Sequence, residues 1–357
     1  MALAVCAWLN VFFAQAEQKT LLGRHEALYY EQLDGETVQC QLCPRRCLLT
    51  NGMRGFCRAR EAQDGKLYTL VYANPCSYHI DPVEKKPIFH MLPATTAFSI
   101  ATAGCNLRCK FCQNWTISQR SPEETDNIKM SPQEVVQAAL KNHCSSIAYT
   151  YSEPIIFYEY MLDTAKLARA KGLKNIMVTA GYINEEPLRE LCQYIDAANV
   201  DIKGFDEKYL RKICAQELAP LLQALKIFKE EGVHLEVTNL IVPTLNDDMK
   251  TIEKMCIWIR DNLGEDTPLH FSRFTPMYQL KNLYRTPTST LEEARQVALN
   301  TGLNFVYIGN VPGHSAEHTY CPDCRALLIE RVGYAIRQNN VVNGKCKFCG
   351  RTIAGIW

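Results

Sequence analysis

The sequence has no excess of charge, no low-complexity segment and no internal repeat. Its 39 Lys and Arg residues are balanced by 38 Asp and Glu residues, and a net charge of +1 excludes a strongly polyanion-seeking surface overall. With 47% hydrophobic and 22% charged residues, the chain is neither disordered nor fibrous. Its 357 residues suggest about two domains, although one α/β barrel absorbs ~250 residues.

Long apolar runs are also missing, and the one near the N-terminus is short. Residues 2–14 are apolar except for Asn10, and Ala14-Gln15-Ala16 fits the small-x-small rule for signal cleavage. However, no Lys or Arg precedes Lys19, and the run is shorter than the ~20 residues that span a bilayer. We expect the leader, residues 1–20, to be a docking helix, a weak membrane contact or a mis-assigned start rather than a signal peptide. We expect no transmembrane span.

Cysteine is the residue that the sequence has in excess, with 17 copies. Most of them fall into three groups of closely spaced residues, whereas a disulfide scaffold is usually a short secreted chain with scattered cysteines. Such spacing suits shared metal sites and indicates a reduced, cytoplasmic, metal-rich enzyme. The groups are the N-terminal set (Cys40, Cys43, Cys47 and Cys57), the loop set (Cys105, Cys109 and Cys112) and the C-terminal set (Cys321, Cys324, Cys346 and Cys349).

From Thr95 onwards, short apolar runs alternate with amphipathic helical stretches. Ser131 is a predicted N-cap, and Gly172 and Gly232 are predicted to end helices in a left-handed conformation. Alternation of this kind implies parallel βαβ units. We therefore predict an α/β fold, a full or partial (β/α) barrel of parallel strands with a cysteine-rich N-terminal segment and a C-terminal zinc-ribbon-like module. The predicted divisions are the leader 1–20, the cysteine-rich segment 21–93, the barrel 94–312 and the ribbon 313–357.

The predicted first strand, residues 96–101, runs directly into the C-x3-C-x2-C motif of the loop set. In barrels the loops that follow strands carry the chemistry. Three thiolates can hold three irons of a [4Fe–4S] cube and leave the fourth iron without a protein ligand, whereas ferredoxin-type clusters use four cysteines. The alternative is a zinc or redox site whose fourth ligand lies elsewhere.

With the aromatic Phe111 before its third cysteine, this motif resembles that of the radical S-adenosylmethionine (radical SAM) superfamily. The resemblance implies that the open iron chelates the amino and carboxylate groups of S-adenosylmethionine. It also implies that one electron from the reduced cluster, supplied by a one-electron donor, cleaves a carbon–sulfur bond. The resulting 5′-deoxyadenosyl radical abstracts a hydrogen from substrate. By position, Phe111 is expected to pack beside the cluster and to help seat the adenine.

Later strand ends are predicted to complete the cofactor pocket. Glu153 stands in a sequence that resembles the family's small-residue–Glu–Pro motif, so we expect it to bind the methionine amino group, unless it only starts a helix. Asp201 and Lys203 resemble the D-x-K motif of glycyl-radical activating enzymes. They share one strand face and can reach the cofactor, unless they form a structural ion pair. Asn239 is expected to bind ribose hydroxyls.

Further candidates lie outside the cofactor contacts. His270 and Arg273 on the sixth predicted strand are candidate catalytic residues that face substrate, although a lone His is as often a satisfied core residue. Lys85, Lys86 and Arg108 form a modest basic rim, a pattern more typical of solvated surface than of a binding site.

Several runs resemble one branch of the superfamily, the radical SAM component of the AmmeMemoRadiSam gene system, related to pyruvate formate-lyase activating enzymes. These runs are residues 82–90, 104–115 and 309–314, and the resemblance covers roughly residues 37–357. One departure is Ala94, where the branch has a glycine after the proline. The branch name describes gene company and supplies no substrate.

The two other cysteine groups are sets of four thiolates. The C-terminal set consists of two C-x2-C knuckles separated by residues 325–345, which is typical of a structural zinc ribbon, with an iron–sulfur cluster as the alternative. For the N-terminal set, zinc and an accessory [4Fe–4S] cluster are equally compatible with the residues, because cysteine identity cannot separate them. An accessory cluster would relay electrons or bind substrate, whereas zinc would only tie down the loop.

The leading hypothesis is a radical SAM oxidoreductase that abstracts hydrogen from an unidentified protein or other large substrate, by a mechanism like glycyl-radical activation. One alternative is modification of RNA or a small metabolite. Zinc ribbons often serve nucleic acid, but the net charge of +1 and only four Trp do not favour it. Another is a non-catalytic metal-binding adaptor. Glu153 and the Asp201/Lys203 pair argue against an adaptor, because it needs no cofactor pocket.

Overall fold

Six short strands begin the computed structural model, which describes residues 23–357, so the predicted leader lies outside the described residues. These strands are β1 His25–Glu26, β2 Tyr30–Gln32, β3 Val38–Cys40, β4 Leu48–Leu49, β5 Arg60–Gln63 and β6 Lys66–Thr69. They form two antiparallel sheets with the strand orders β1-β6-β5 and β2-β3-β4. The N-terminal cysteine set is distributed over the second sheet and the loop that leads to β5.

The main sheet has eight strands: β7 Ser77–Pro82, β8 Thr96–Ala101, β9 Ser146–Tyr149, β10 Lys174–Thr179, β11 Ala197–Asp201, β12 His234–Ile241, β13 Leu269–Arg273 and β14 Val306–Gly309. Strands β8 to β14 are parallel and lie side by side in chain order, and β7 pairs antiparallel with β8. Within the described residues β7 and β14 are the two edges, so the sheet is a partial barrel. The predicted parallel α/β architecture is confirmed.

Helices connect these strands: α1 Trp115–Ser118, α2 Pro132–Lys141, α3 Tyr158–Ala170, α4 Glu185–Cys192, α5 Glu207–Tyr209, α6 Leu218–Glu230, α7 Met249–Leu263 and α8 Thr288–Asn300. Ser131 caps α2 as predicted, because its hydroxyl accepts from the backbone N–H of Glu134 and the Glu134 carboxylate accepts from the Ser131 N–H at 2.7 Å. Gly172 and Gly232 follow α3 and α6 with φ of +78° and +75°. The remaining helical segments are 3₁₀ turns at Val83–Lys85, Pro122–Glu124, Pro154–Phe157 and Ser315–Glu317 and a π turn at Leu210–Cys214.

The main hydrophobic core lies between the sheet and these helices. Buried strand residues such as Val200 and Val237 pack there with Leu225 of α6 and Ile252 of α7. Burial of such side chains on one sheet face is the dominant favourable term in folding. Among the helices of residues 23–357, none combines the length and the apolar character needed to cross a membrane.

The C-terminal region adds five short strands: β15 Thr319–Tyr320, β16 Leu327–Val332, β17 Ala335–Asn339, β18 Val341–Val342 and β19 Lys345–Cys346. Strands β15, β16 and β17 form an antiparallel sheet, and β18 and β19 form a hairpin. Arg331 of β16 is fully buried, and its guanidinium lies 4.1 Å from the ring centre of Phe89 and donates to the Phe89 carbonyl at 2.9 Å. This contact ties the C-terminal region to the segment that precedes β8.

The barrel sheet begins earlier than predicted. Strand β7 lies within the predicted segment 21–93, yet it pairs with β8 along its whole length. The prolines in this segment indicated loops, but β7 is an edge strand, where Pro82 removes no necessary ladder hydrogen bond. The turn before β8 is formed with Ala94 at φ +68°, a conformation that glycine adopts more easily.

Candidate active site

The loop set follows β8, and the backbone on either side of it is tightly held. Gly104 begins the loop with φ +97°, and a Cβ at this residue would lie 2.5 Å from the carbonyl oxygen of Cys57. Only glycine accommodates both the conformation and this close approach. Further along, the N–H of Arg108 donates to the carbonyl of Cys214 at 2.9 Å, so the π turn supports the loop from a second side.

The three loop thiols differ in their surroundings. Burial raises the pKa of Cys105 well above its ordinary value, and burial together with the neighbouring Cys109 raises that of Cys112. A hydrogen bond from the Cys214 thiol lowers the pKa of Cys109, and the ammonium of Lys203 acts in the same direction. Because thiolates are the metal-binding form, a nearby fixed cation favours metal binding at this loop.

The loop set fits an iron–sulfur cluster with three protein ligands. Within residues 23–357, only the C-terminal set brings three or more metal-binding side chains together with all ligand atoms within 4.8 Å, so the loop sulfurs are spread more widely. Wider spacing is expected when each cysteine binds a different iron. The buried hydroxyl of Tyr209, in the same cluster of side chains as Cys109, has no partner among the described residues. An unpartnered polar group in this cluster fits an additional polar ligand.

Phe111 packs among the cysteines of the loop set. Its side chain is buried in a cluster with Cys109, Ala180 and Tyr182, and Cys105 is packed against that cluster. The aromatic ring therefore shields the loop thiols. Its predicted contact with adenine stays a prediction.

Glu153 lies at the carboxyl side of β9 and is almost fully buried. Its carboxylate accepts hydrogen bonds from the Thr179 hydroxyl at 2.6 Å, the Ala180 N–H at 2.9 Å and the Ile155 N–H at 3.3 Å. Burial raises its pKa despite these bonds. Its negative charge contributes to the raised pKa of Cys105, so the two groups are neighbours. The carboxylate thus starts the Pro154–Phe157 turn and also lies beside the loop set.

Asp201 and Lys203 form the ion pair that their spacing allows. The Lys203 ammonium lies 2.8 Å from the Asp201 carboxylate, and Asp201 keeps 34% of its side chain exposed. Burial opposes the charge of Lys203, but Asp201 and the thiolates of Cys109 and Cys214 raise its pKa well above the ordinary value. Lys203 therefore remains an ammonium beside the loop set.

Comparison with known proteins gives the family. The family model of the Radical SAM superfamily matches residues 99–259, which include the loop set, Glu153 and the Asp201/Lys203 pair. An uncharacterized protein of Methanocaldococcus jannaschii is 49% identical over 330 residues, which cover 92% of this chain and 98% of that protein. The chain belongs to the radical SAM superfamily.

More distant similarities extend to named enzymes. A pyruvate formate-lyase-activating enzyme of Clostridium pasteurianum is 24% identical over 167 residues, 44% of this chain and 67% of that protein. A solved radical SAM methyltransferase of Sphaerobacter thermophilus matches with a TM-score of 0.47 and 12% identity, over 80% of this chain and 77% of that chain.

In this radical SAM protein Asn239, the remaining predicted cofactor contact, bonds to the backbone of the neighbouring strand's loop. Asn239 donates to the carbonyl of Ile202 at 2.7 Å. Its strand neighbours at i±2, Val237 and Ile241, pack in the core between sheet and helices. Strand alternation therefore places the Asn239 side chain on the helix-facing side, where it ties β12 to the loop after β11. Its predicted contact with ribose stays a prediction.

The two candidate catalytic residues are engaged within the protein. His270 is buried, with its Nε2 2.6 Å from a carboxylate oxygen of Glu236 and its ring packed against Phe89 and Tyr307. This arrangement matches the alternative of a satisfied core histidine. Arg273, the last residue of β13, donates through Nε to the carbonyl of Thr286 at 2.8 Å. Neither contact involves the loop set.

One group of interior polar residues was missed by sequence reasoning. Lys86, expected on a solvated rim, is buried and lies 2.5 Å from the Asp81 carboxylate and 3.3 Å from the Tyr151 hydroxyl. Burial lowers its pKa to about 8. The amide of Asn114, just after the loop set, donates to the Tyr151 carbonyl at 2.6 Å, so this group adjoins the pocket. The only sequence signal was the resemblance of residues 82–90 to the AmmeMemoRadiSam branch.

The C-terminal set is brought together as predicted for a metal site. Its four sulfurs all lie within 4.8 Å of one another, with Cys321 to Cys349 at 3.6 Å and Cys324 to Cys346 at 3.7 Å. These separations exceed the ~2.05 Å of a disulfide. A tetrahedron with metal–sulfur bonds of ~2.3 Å has edges of about 3.8 Å, so the four thiols have the spacing of a single bound ion.

Proposed function

We propose that this protein reductively cleaves S-adenosylmethionine at a [4Fe–4S] cluster held by the loop set. When bound, the cluster would supply the one electron that this cleavage requires, and the 5′-deoxyadenosyl radical that results would abstract hydrogen from a substrate. The observation that carries the proposal is the convergence of three thiols, the Asp201/Lys203 pair and the buried carboxylate of Glu153 on one loop after the first parallel strand.

The chain's own residues bind, orient and shield. The loop set holds the metal, and Lys203 provides a fixed positive charge beside the thiolates. Glu153 is oriented by its bonds to Thr179 and Ala180, which direct its carboxylate before any ligand arrives. Phe111, with the aromatic cluster around it, keeps water away from the thiols, as radical chemistry requires. We assign the amino-group contact to Glu153 and polar cofactor contacts to Asp201 and Lys203.

We infer a protein substrate, as in glycyl-radical activation. Support comes from the names of two relatives, a pyruvate formate-lyase-activating enzyme and a (2S)-3-sulfopropanediol dehydratase activating enzyme of Klebsiella oxytoca. We also propose, from the motif resemblances, that the protein belongs to the AmmeMemoRadiSam branch. Modification of RNA or of a small metabolite is the competing outcome of a substrate screen.

We further propose that the C-terminal set holds zinc in a closed, structural site. Four thiolates at single-ion spacing are typical of a zinc ribbon, and the underlying apolar cluster includes Cys321, Cys346 and Phe89. We also propose a reducing, cytoplasmic setting, because all sixteen cysteines within residues 23–357 are free.

Anaerobic reconstitution with S-adenosylmethionine and dithionite tests the enzymatic proposal. We expect 5′-deoxyadenosine to form with the native protein and to be lost in Cys109→Ala. Cys144→Ala, which removes a buried cysteine outside the three sets, is the matched control and should keep turnover. An intact cluster without 5′-deoxyadenosine would favour the metal-binding adaptor. Deuterium transfer from labelled candidate proteins, RNA or metabolites into 5′-deoxyadenosine then identifies the substrate class.

A further inference from the structure

The N-terminal cysteine set surrounds a cavity. All four of its cysteines contribute to the lining of this cavity. The rest of the lining is largely apolar and includes Leu42, Leu49, Ile155 and Ile156. Four thiols that converge on an apolar cavity have the composition of a metal site rather than of an ordinary core.

The spacing of this set differs from that of the C-terminal set in the same chain. The C-terminal sulfurs stand 3.6 and 3.7 Å apart, as one tetrahedral ion requires. In the part of the chain that the structure describes, no other group of three metal-binding side chains has ligand atoms within 4.8 Å. No three sulfurs of the N-terminal set are therefore close enough to enclose a single zinc ion, whereas the four ligands of a cube each bind a different iron.

We propose that the N-terminal set binds a second [4Fe–4S] cluster, with a cysteine on every iron, rather than zinc. The surrounding groups suit a negatively charged cluster of this kind. The N–H of Phe56 points to the sulfur of Cys47 at 3.5 Å. The guanidinium of Arg60, which is also paired with the buried carboxylate of Glu159 at 2.5 Å, lies 4.0 Å from the sulfur of Cys40. Hydrogen bonds to sulfur and nearby positive charge are the means by which proteins tune such clusters.

This second site touches the loop set directly. The carbonyl of Cys57 packs against Gly104, the residue that precedes the first loop cysteine. Asn106, which follows that cysteine, lines the N-terminal cavity. From the loop, the guanidinium of Arg108 lies 3.9 Å from the ring centre of Phe56 and donates to its carbonyl. The two sites are therefore separated by little more than one layer of backbone.

Because the two sites are adjacent, the second cluster can act as an electron relay to the loop site. This role rests on the proposed function. A low-potential one-electron donor loses one electron to the N-terminal cluster, which then passes it to the loop site. No proton moves and no bond changes. The path for an electron from outside is short, because two residues of the segment between Cys47 and Cys57, Leu48 and Met53, are 58% and 49% exposed.

Metal content tests the site without any measurement of turnover. In a variant with all three loop cysteines changed to Ala, we expect about four irons and about four sulfides per chain after anaerobic reconstitution, against about eight of each in the native protein. Cys43→Ser/Cys57→Ser should also retain about four, and Cys321→Ser should leave the iron count unchanged. A folded loop variant that contains zinc in place of iron, or no iron, would overturn the proposal. Circular dichroism shows whether each variant is folded. If Cys43→Ser/Cys57→Ser does not fold, the loop variant still tests the proposal, because its N-terminal set is intact.

Electron paramagnetic resonance of the dithionite-reduced proteins tests the adjacency. Two nearby reduced clusters broaden each other's signals, so the native spectrum should be broader than the sum of the spectra of the two cluster variants. A native spectrum equal to that sum would overturn the relay. Addition of S-adenosylmethionine should change only the signal that survives in Cys43→Ser/Cys57→Ser. If it changes neither signal while both clusters are present, the proposed function fails and the second cluster stands.

Discussion

The carbonyl oxygen of Cys57 lies only 2.5 Å from the position that a Cβ on Gly104 would occupy, so the two cysteine loops meet at a residue with no side chain. We predict that Gly104→Ala lowers the free energy of unfolding by about 2–4 kcal/mol, because left-handed strain adds to a clash with fixed backbone. Iron content should also fall, since the loop set must shift. Denaturant titration and iron analysis of the same preparations measure both effects.

Gly172→Ala is the matched control for this prediction. Gly172 also has a positive φ, +78°, but a Cβ there would meet nothing within 4 Å. We expect a loss of only about 1 kcal/mol, from backbone strain alone, with unchanged iron. If both variants lose equal stability and neither loses iron, the contact between the two loops has no role in cluster binding.

Glu153 provides a test of the cofactor pocket. We predict that Glu153→Gln retains iron but weakens S-adenosylmethionine binding about 10- to 100-fold, because a charge-assisted hydrogen bond is worth about 1.5–3 kcal/mol. Anaerobic isothermal titration of the reconstituted protein measures the dissociation constant. Glu253→Gln, on the exposed face of α7, is the control and should bind normally. Unchanged affinity in Glu153→Gln would remove Glu153 from the site.

The parallel sheet could be predicted because its signals are local. Strand β8, Thr96–Ala101, is a short, mostly apolar run whose last five residues are buried. Ser131 and Gly172 each mark a helix end that lies within two residues of them in the chain. The loop set was visible for the same reason, since its ligands lie within eight consecutive residues. Local spacing also identified both four-cysteine sets.

The contacts that sequence reasoning missed join distant parts of the chain. Lys86 can be buried because its ammonium forms an ion pair with Asp81 and a hydrogen bond with the hydroxyl of Tyr151. Tyr151 lies at the end of a different strand, so this contact is not visible in the local sequence. His270 lies on a strand as predicted, but only the fold shows that Glu236 and Tyr307 enclose it. Distances between sulfur atoms also depend on how distant parts of the chain pack. The sequence therefore could not distinguish a zinc site from an iron–sulfur site for the N-terminal set.

His90 makes stability depend on pH. It is fully buried, with Nδ1 2.7 Å from the Ala354 carbonyl oxygen and Nε2 2.6 Å from the Tyr307 hydroxyl, and burial lowers its pKa to about 3. Below its unfolded pKa of ~6.5, the unfolded chain binds a proton that the folded protein does not. The contribution of His90 to the free energy of unfolding is therefore fully present above pH ~6.5. It falls as the pH drops towards 3, by up to about 1.4 kcal/mol per pH unit.

The comparison of native protein with His90→Gln isolates this contribution. Unfolding free energies at pH 7.5 and 5.5 should differ by about 1 kcal/mol less in the variant, although the variant is less stable at both values. This window lies above the range in which Glu236 titrates, because its histidine partners hold the pKa of Glu236 well below its ordinary value against the effect of burial. Parallel pH dependences in the two proteins would mean that folded His90 takes up a proton.

Loss of the metal from the C-terminal set is expected to leave the iron–sulfur sites unaffected. Cys321→Ser should release about one zinc per chain and destabilise the C-terminal strands, because the buried cluster of Cys321, Leu328 and Phe305 loses its metal support. Visible absorbance from iron–sulfur clusters should remain, since no loop or N-terminal cysteine changes. Metal analysis and hydrogen exchange of residues 319–357 measure the two effects. Cys256→Ser, a buried cysteine on α7, is the control and should keep zinc. Loss of visible absorbance in Cys321→Ser would instead assign iron to the C-terminal set.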